Sequence, residues 1–221
     1  MSEFLRARRP EHKEQRRQAI LSAARRLALD SGVHNVTLSG VAAAVGLAKS
    51  NMSRYFGTRE EMYLELASEC WDDWSKAVVE RLSAGDDVVV TLTETLQARP
   101  MFCDLLGHTA TSLEHNVSVP AARGHKHAMI VAIREIGAAI AAADHRLTEN
   151  EGRDLVSAAA GLAGAVYAAA HPPPTLAEAY EQNPELAAAR PEFLPTMQRI
   201  LGAIAAGLPT LRAQTASSTA G

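Results

Sequence analysis

Six consecutive positions set Lys49, Ser50, Asn51, Ser53 and Arg54 around one apolar residue, Met52. Their shared chemistry is hydrogen bonding: lysine and arginine ends reach guanine N7 and O6, an asparagine amide pairs with adenine, and serines let a helix backbone come close to a groove. Thr37 and Ser39 upstream add hydroxyls, and Tyr55 and Arg59 downstream add a phenol and a guanidinium, all donors suited to phosphate. A solvated helix face is the alternative reading of the same pattern.

The elements that must hold these side chains are legible in the run "TLSGVAAAVGLAKSNMSRYFGTREE", Thr37 to Glu61. Leu38, Val41, Ala42 and Val45 recur at i, i+3, i+4 and i+7, Thr37 is an N-cap, and Gly46 is placed to stop the helix in a left-handed conformation. Lys49 to Phe56 keeps only Met52 and Phe56 apolar, so that helix is unstable alone and must be held by its neighbours. Thr58 to Glu61 forms a capping box, from which a helix carries Met62, Leu66 and Cys70 toward Trp74. Upstream, Ile20, Ala24, Leu27 and Ala28 mark an amphipathic helix from about Lys13 to Asp30, stopped at Ser31-Gly32. Two short helices joined by a glycine turn are a helix-turn-helix, whose second helix offers its side chains to a groove.

Composition agrees with a helical protein. The 221 residues are 47% hydrophobic but only 5% aromatic, and alanine, the best helix former, is abundant throughout. The net charge of −3 conceals a division. Residues 1–60 hold 11 Lys+Arg against 5 Asp+Glu, a net +6, whereas residues 61–221 hold 11 against 20, a net −9. A basic head on an acidic body suits nucleic-acid binding by the first part alone. Arg6, Arg8 and Arg9 precede no apolar h-region, and Val156 to Ala170 is too short to span a bilayer, so the chain reads as cytoplasmic with no membrane partner. Cys70 and Cys103 lack metal-ligand spacing and read as buried thiols.

Beyond Leu82 the pattern is helical: Val88 to Ala98 despite its β-branched start, a helix opened by Pro100, a long one holding His125, Met129, Ile133 and Ile140, and another after the capping box Thr148 to Glu151. His125 and His127 point to different sides of a helix and no Cys or carboxylate completes a set, so no metal or cofactor is expected. No nucleophile turn or oxyanion loop is readable, which argues against an enzyme. The helix Leu155 to Ala170, "LVSAAAGLAGAVYAAA", is too apolar all round to face water; Leu155, Ala159, Leu162 and Val166 are its candidates for a homodimer interface, together with Pro191 to Leu208.

The block from Arg17 to about Leu66 resembles the DNA-binding domain of the TetR/AcrR family of transcriptional regulators, through "ILSAARRLALDSG", "VTLSGVAAAVGLAKSNMSRYF" and "GTREEMYLEL" in order and spacing. It departs at Ser53, where the family commonly has tyrosine, and at Ala48 and Gly40. The resemblance implies that Ser39, Lys49, Ser50, Asn51 and Ser53 face base edges of a double-stranded operator, that Thr37, Tyr55 and Arg59 hold phosphates, and that Arg54 does either. It implies an all-α fold of two domains. Residues 1–57 form a three-helix helix-turn-helix domain behind an unstructured arm (1–12), and residues 58–221 form a helical effector-binding and dimerisation bundle with an unstructured tail from about 210. It further implies a repressor released by a small hydrophobic effector held among Trp74, Phe102, Leu106, His125, Met129 and Tyr167, where ordinary core packing is the competing explanation. The rivals are a regulator of the same fold governed by a protein partner or by nothing, and an all-α enzyme.

Overall fold

The computed structural model describes the backbone of residues 3–219, and side chains over residues 11–109 and 112–214. Eleven α-helices and no strand occur among them: α1 Glu3–Ser31, α2 Leu38–Ala44, α3 Lys49–Met52, α4 Arg59–Ser83, α5 Val88–Gln97, α6 Pro100–His108, α7 Val119–Ala143, α8 Glu149–Ala170, α9 Pro174–Gln182, α10 Pro184–Ala189 and α11 Phe193–Thr219. A 3-10 turn, Val33–Asn35, follows α1, and a π-helical turn, Thr109–Leu113, follows α6.

Two hydrophobic cores share α4. Its first half sends Met62, Leu66 and Ala67 into a head core with Ile20, Ala24, Val41, Met52 and Phe56. Its second half sends Trp71, Trp74 and Val78 into a bundle core with Leu92, Phe102, Ile136, Leu155 and Leu201. The head core therefore runs past residue 57, and it also takes Leu105 and Leu113 from the body. Helix α4 thus runs unbroken through both cores.

Helix α5 forms in spite of its β-branched "VVVTLT" start, capped by Asp87 accepting the Val90 N–H, and Thr93 and Thr95 turn their hydroxyls back onto it, whereas the buried Thr91 hydroxyl has no partner among the described residues. Thr93 Oγ1 donates to the Val89 carbonyl at 2.8 Å and Thr95 Oγ1 to that of Thr91 at 2.6 Å, which lets both be buried. Thr95 Oγ1 also accepts the Trp74 indole N–H at 2.9 Å, satisfying the polar end of the largest buried side chain. Helix α8 meets α6 backbone to backbone, since a Cβ built on Gly164 would lie 2.5 Å from the Gly107 nitrogen. The capping box at Thr148 is present, with Glu151 accepting the Thr148 amide at 2.7 Å.

The termini differ from the sequence expectation. The arm expected over residues 1–12 is helical from Glu3, and the tail expected from about 210 is helical to Thr219. Arginines and alanines in both stretches are good helix formers that extend a helix already nucleated by packing. The side chains of Arg6, Arg8 and Arg9 lie outside the described residues. No single helix among the described residues is long and apolar enough to cross a membrane.

Candidate nucleic-acid interface

Local chemistry builds the helix-turn-helix as its spacing predicts. Thr37 caps α2 by accepting the Gly40 N–H at 3.1 Å. At the other end Gly46 takes φ +66°, with Leu47 N–H donating to the Ala42 carbonyl and Gly46 N–H to that of Ala43, the paired bonds of a Schellman stop. Helix α3 is shorter than the sequence suggests, ending at Met52 rather than Phe56. The chain continues as a turn because the Arg54 and Tyr55 amides bond the carbonyls of Asn51 and Met52, three residues back. Met52 and Phe56 are 1% and 2% exposed and pin this segment to the head core.

That anchoring leaves Lys49, Ser50, Asn51, Ser53 and Arg54 exposed on one outer surface, with Thr37 and Ser39 exposed on α2. Ser53 Oγ donates to the Ser50 carbonyl at 3.0 Å, which fixes its hydroxyl with the lone pairs free to accept. The Thr37 hydroxyl, already accepting from Gly40, keeps its own hydrogen to donate. Tyr55 is half-buried and lines a shallow groove of about 560 Å³ with Lys13 and Arg16 of α1, both exposed. Those two cations were not singled out by the sequence reading; their signal was only their place off the apolar stripe of α1.

Arg59 is the exception among the nine candidates. Its guanidinium is turned inward: Nε donates to the Val36 carbonyl at 2.6 Å and Nη2 to the carbonyl of Val33, while the group sits 5.0 Å from the Tyr63 ring centroid. It staples the turn before α2 to α4, and from the other side Asp104 of α6 accepts the Val33 N–H at 2.8 Å. Arg17 makes a matching clamp that periodicity did not reveal. It pairs with Glu65, donates from Nη1 to the Tyr55 carbonyl at 2.6 Å, and lies 4.3 Å over Phe56. Both arginines act as positioning residues for the exposed segment.

Two family descriptions match this arrangement along the chain. "Bacterial regulatory proteins, tetR family" covers residues 20–66, and "Tetracyclin repressor-like, C-terminal domain" covers residues 68–212. The chain belongs to the TetR family. Among solved structures it is similar to the fatty acid degradation regulator FadR from Bacillus halodurans, at 12% identity and a TM-score of 0.52, over 87% of this chain and 97% of that one. At that identity the likeness shows the fold alone. No curated protein matches the sequence.

In this TetR-family chain the six expected effector contacts do not line one pocket. Trp74 is packed against Trp71 and Phe102, with ring centroids 5.5 and 5.8 Å away, in a filled aromatic core. Phe102 borders a cleft of about 450 Å³ at the seam of the two cores with Leu29, Cys70 and Met101. His125 lines a different cleft between head and bundle. Tyr167 stacks on His171 at 4.2 Å toward the far end of α8, and Leu106 and Met129 are half-buried against the bundle core. Large side chains at helical spacing read alike in sequence whether they fill a core or ring a hollow.

Helix α8 of this TetR-family chain turns the face expected to pair with a partner into its own bundle. Leu155 and Ala159 are fully buried and Val166 is 9% exposed, all within the protomer's own core. The face left open carries Ser157, Gly161 and Ala165 beside half-buried Leu162. On α11, Ile200, Ala203, Ile204 and Leu208 line an apolar groove that ends at Leu211, 60% exposed. Both thiols are neutral, burial pushing Cys70 and Cys103 up to about 12, and Cys103 Sγ lies 3.3 Å from the Leu96 carbonyl. No group of three His, Cys, Asp or Glu suited to a metal ion occurs among the described residues.

Proposed function

We propose that this TetR-family regulator works in the cytoplasm as a homodimeric repressor, without enzymatic activity, that reads a palindromic operator and is released by a small effector. The observation that carries the reading is the row Lys49, Ser50, Asn51, Ser53 and Arg54, exposed on a segment whose Met52 and Phe56 are locked in the core. Ser39 and the row meet base edges; Thr37, Tyr55, Lys13 and Arg16 meet phosphates; Arg59 positions. Two copies related by a two-fold axis through the open faces of α8 and α11 present two such rows to half-sites about one helical turn apart.

Capture of sheared genomic DNA on the purified protein tests this. A recovered motif of two inverted half-sites supports it; recovery without sequence preference sinks it. The filled aromatic core around Trp74 supports a second reading, a same-fold regulator governed by a protein partner or by nothing, which predicts that no small molecule changes operator affinity.

A further inference from the structure

The cleft between head and bundle, about 560 Å³, falls within the size range of organic-ligand sites. Its walls are Tyr55 and Phe56 of the head, Leu64 and Glu65 of α4, and Gly124 and His125 of α7. We propose that it binds a small amphipathic primary amine, whose ammonium group donates to His125 Nε2 and the Glu65 carboxylate while its apolar body lies against Phe56 and Leu64. The site itself stands on this geometry; its effect on DNA rests on the effector-released reading above.

His125 is 2% exposed, and its tautomer follows from its neighbours. Ser68 Oγ donates to the Leu64 carbonyl at 2.7 Å and lies 3.3 Å from His125 Nδ1; with its hydrogen so committed Ser68 accepts, and we assign the ring proton to Nδ1 on that ground. Nε2 is then a bare lone pair buried behind this lining, and His125 is the one lining residue whose buried side-chain nitrogen or oxygen has no partner among the described residues. Burial, and then the Lys126 charge, hold the ring below its ordinary value, so at neutral pH it is an acceptor and not an imidazolium. A buried acceptor left open is destabilising, and an arriving N–H relieves it.

Charge selects the same ligand. Glu61 and Glu65 stand on the lining against Arg17 alone, a net negative surface. Glu61 is committed to the amides of Gly57 and Ser118, whereas Glu65 is held by Arg17. A quaternary ammonium satisfies the charge but has no hydrogen for Nε2, and a carboxylate satisfies neither. An ammonium at Glu65 competes with Arg17, whose Nη1 holds the Tyr55 carbonyl at the end of the exposed row. Binding therefore loosens the segment that meets DNA.

The test is isothermal titration of the full chain at neutral pH with phenethylamine, its N,N,N-trimethyl derivative and 3-phenylpropionate. The primary amine is expected to bind once per chain, with the other two at least about tenfold weaker. Gly124→Leu fills the cleft from a helical position where an added Cβ meets nothing within 4 Å, so it keeps the melting temperature and abolishes binding. His125→Phe keeps a buried ring without the acceptor and is expected to weaken the amine about tenfold. Equal binding of all three compounds, binding of none, or undiminished binding by Gly124→Leu overturns the site. An amine that binds as described yet leaves operator affinity unchanged keeps the site and overturns the effector reading.

Discussion

Glu61 Oε1 accepts the Ser118 N–H at 2.9 Å, while Oε2 accepts the Gly57 N–H at the same distance, so one carboxylate joins the end of the turn after α3 to the start of α7. Ser118, then the Gly57 and Thr58 amides, hold its pKa below the ordinary 4.5. A depressed folded-state pKa contributes stability that is present above the unfolded value and lost as pH falls through the folded one. Glu61→Gln is therefore expected to cost about 1 kcal/mol at neutral pH, with the difference from wild type closing as acid protonates Glu61. Urea unfolding across that range checks it; a gap independent of pH contradicts it.

Arg59→Ala is expected to remove about 2 kcal/mol of head stability by stripping donors from the Val33 and Val36 carbonyls. Any loss of DNA affinity should then track unfolding of the head. Denaturation monitored by circular dichroism, with binding measured well below the melting point, separates this from a phosphate contact, which would weaken binding with stability unchanged.

What the sequence revealed and concealed divides by distance along the chain. Thr37, Gly46, Thr58 and Thr148 act within a few residues of themselves, so their caps and stops could be read directly. Arg17, Arg59 and Asp104 act across 23 to 71 residues, and no local spacing marks their partners. Helix α8 failed for another reason: in an alanine-rich helix neither face carries enough polarity to say which one is outward. The exposed row from Lys49 to Arg54 was legible because polar residues crowd a segment with only two apolar anchors, although its helix is a turn shorter than the pattern implies.

The corrected face of α8 gives a contrast between neighbours. Ala165→Arg, on the open face, should yield monomers with wild-type helicity, whereas Ala159→Arg places a charge in the protomer core and should unfold the bundle. Sedimentation together with far-ultraviolet circular dichroism decides it. A dimeric Ala165→Arg would move the interface off α8.

Close crossing of α6 and α8 allows no methyl group. Gly164→Ala is expected to force the helices apart at a cost of about 1–3 kcal/mol, since its Cβ would fall 2.5 Å from a backbone nitrogen of Gly107. Gly124→Ala, on the exposed side of α7 where an added Cβ meets nothing within 4 Å, should be neutral or stabilising. Thermal melts of the two variants that shift together would refute the crossing.

Under the proposed function the row Lys49 to Arg54 reads DNA sequence. Fluorescence anisotropy of the captured DNA motif against a scrambled duplex, at fixed salt, tests it with the double variant Lys49→Ala/Asn51→Ala. Wild type should prefer the motif strongly, and the variant should lose about 1–3 kcal/mol of that preference for each base contact removed while its affinity for the scrambled duplex changes far less. A variant that keeps the wild-type preference, with folding intact, would contradict the account.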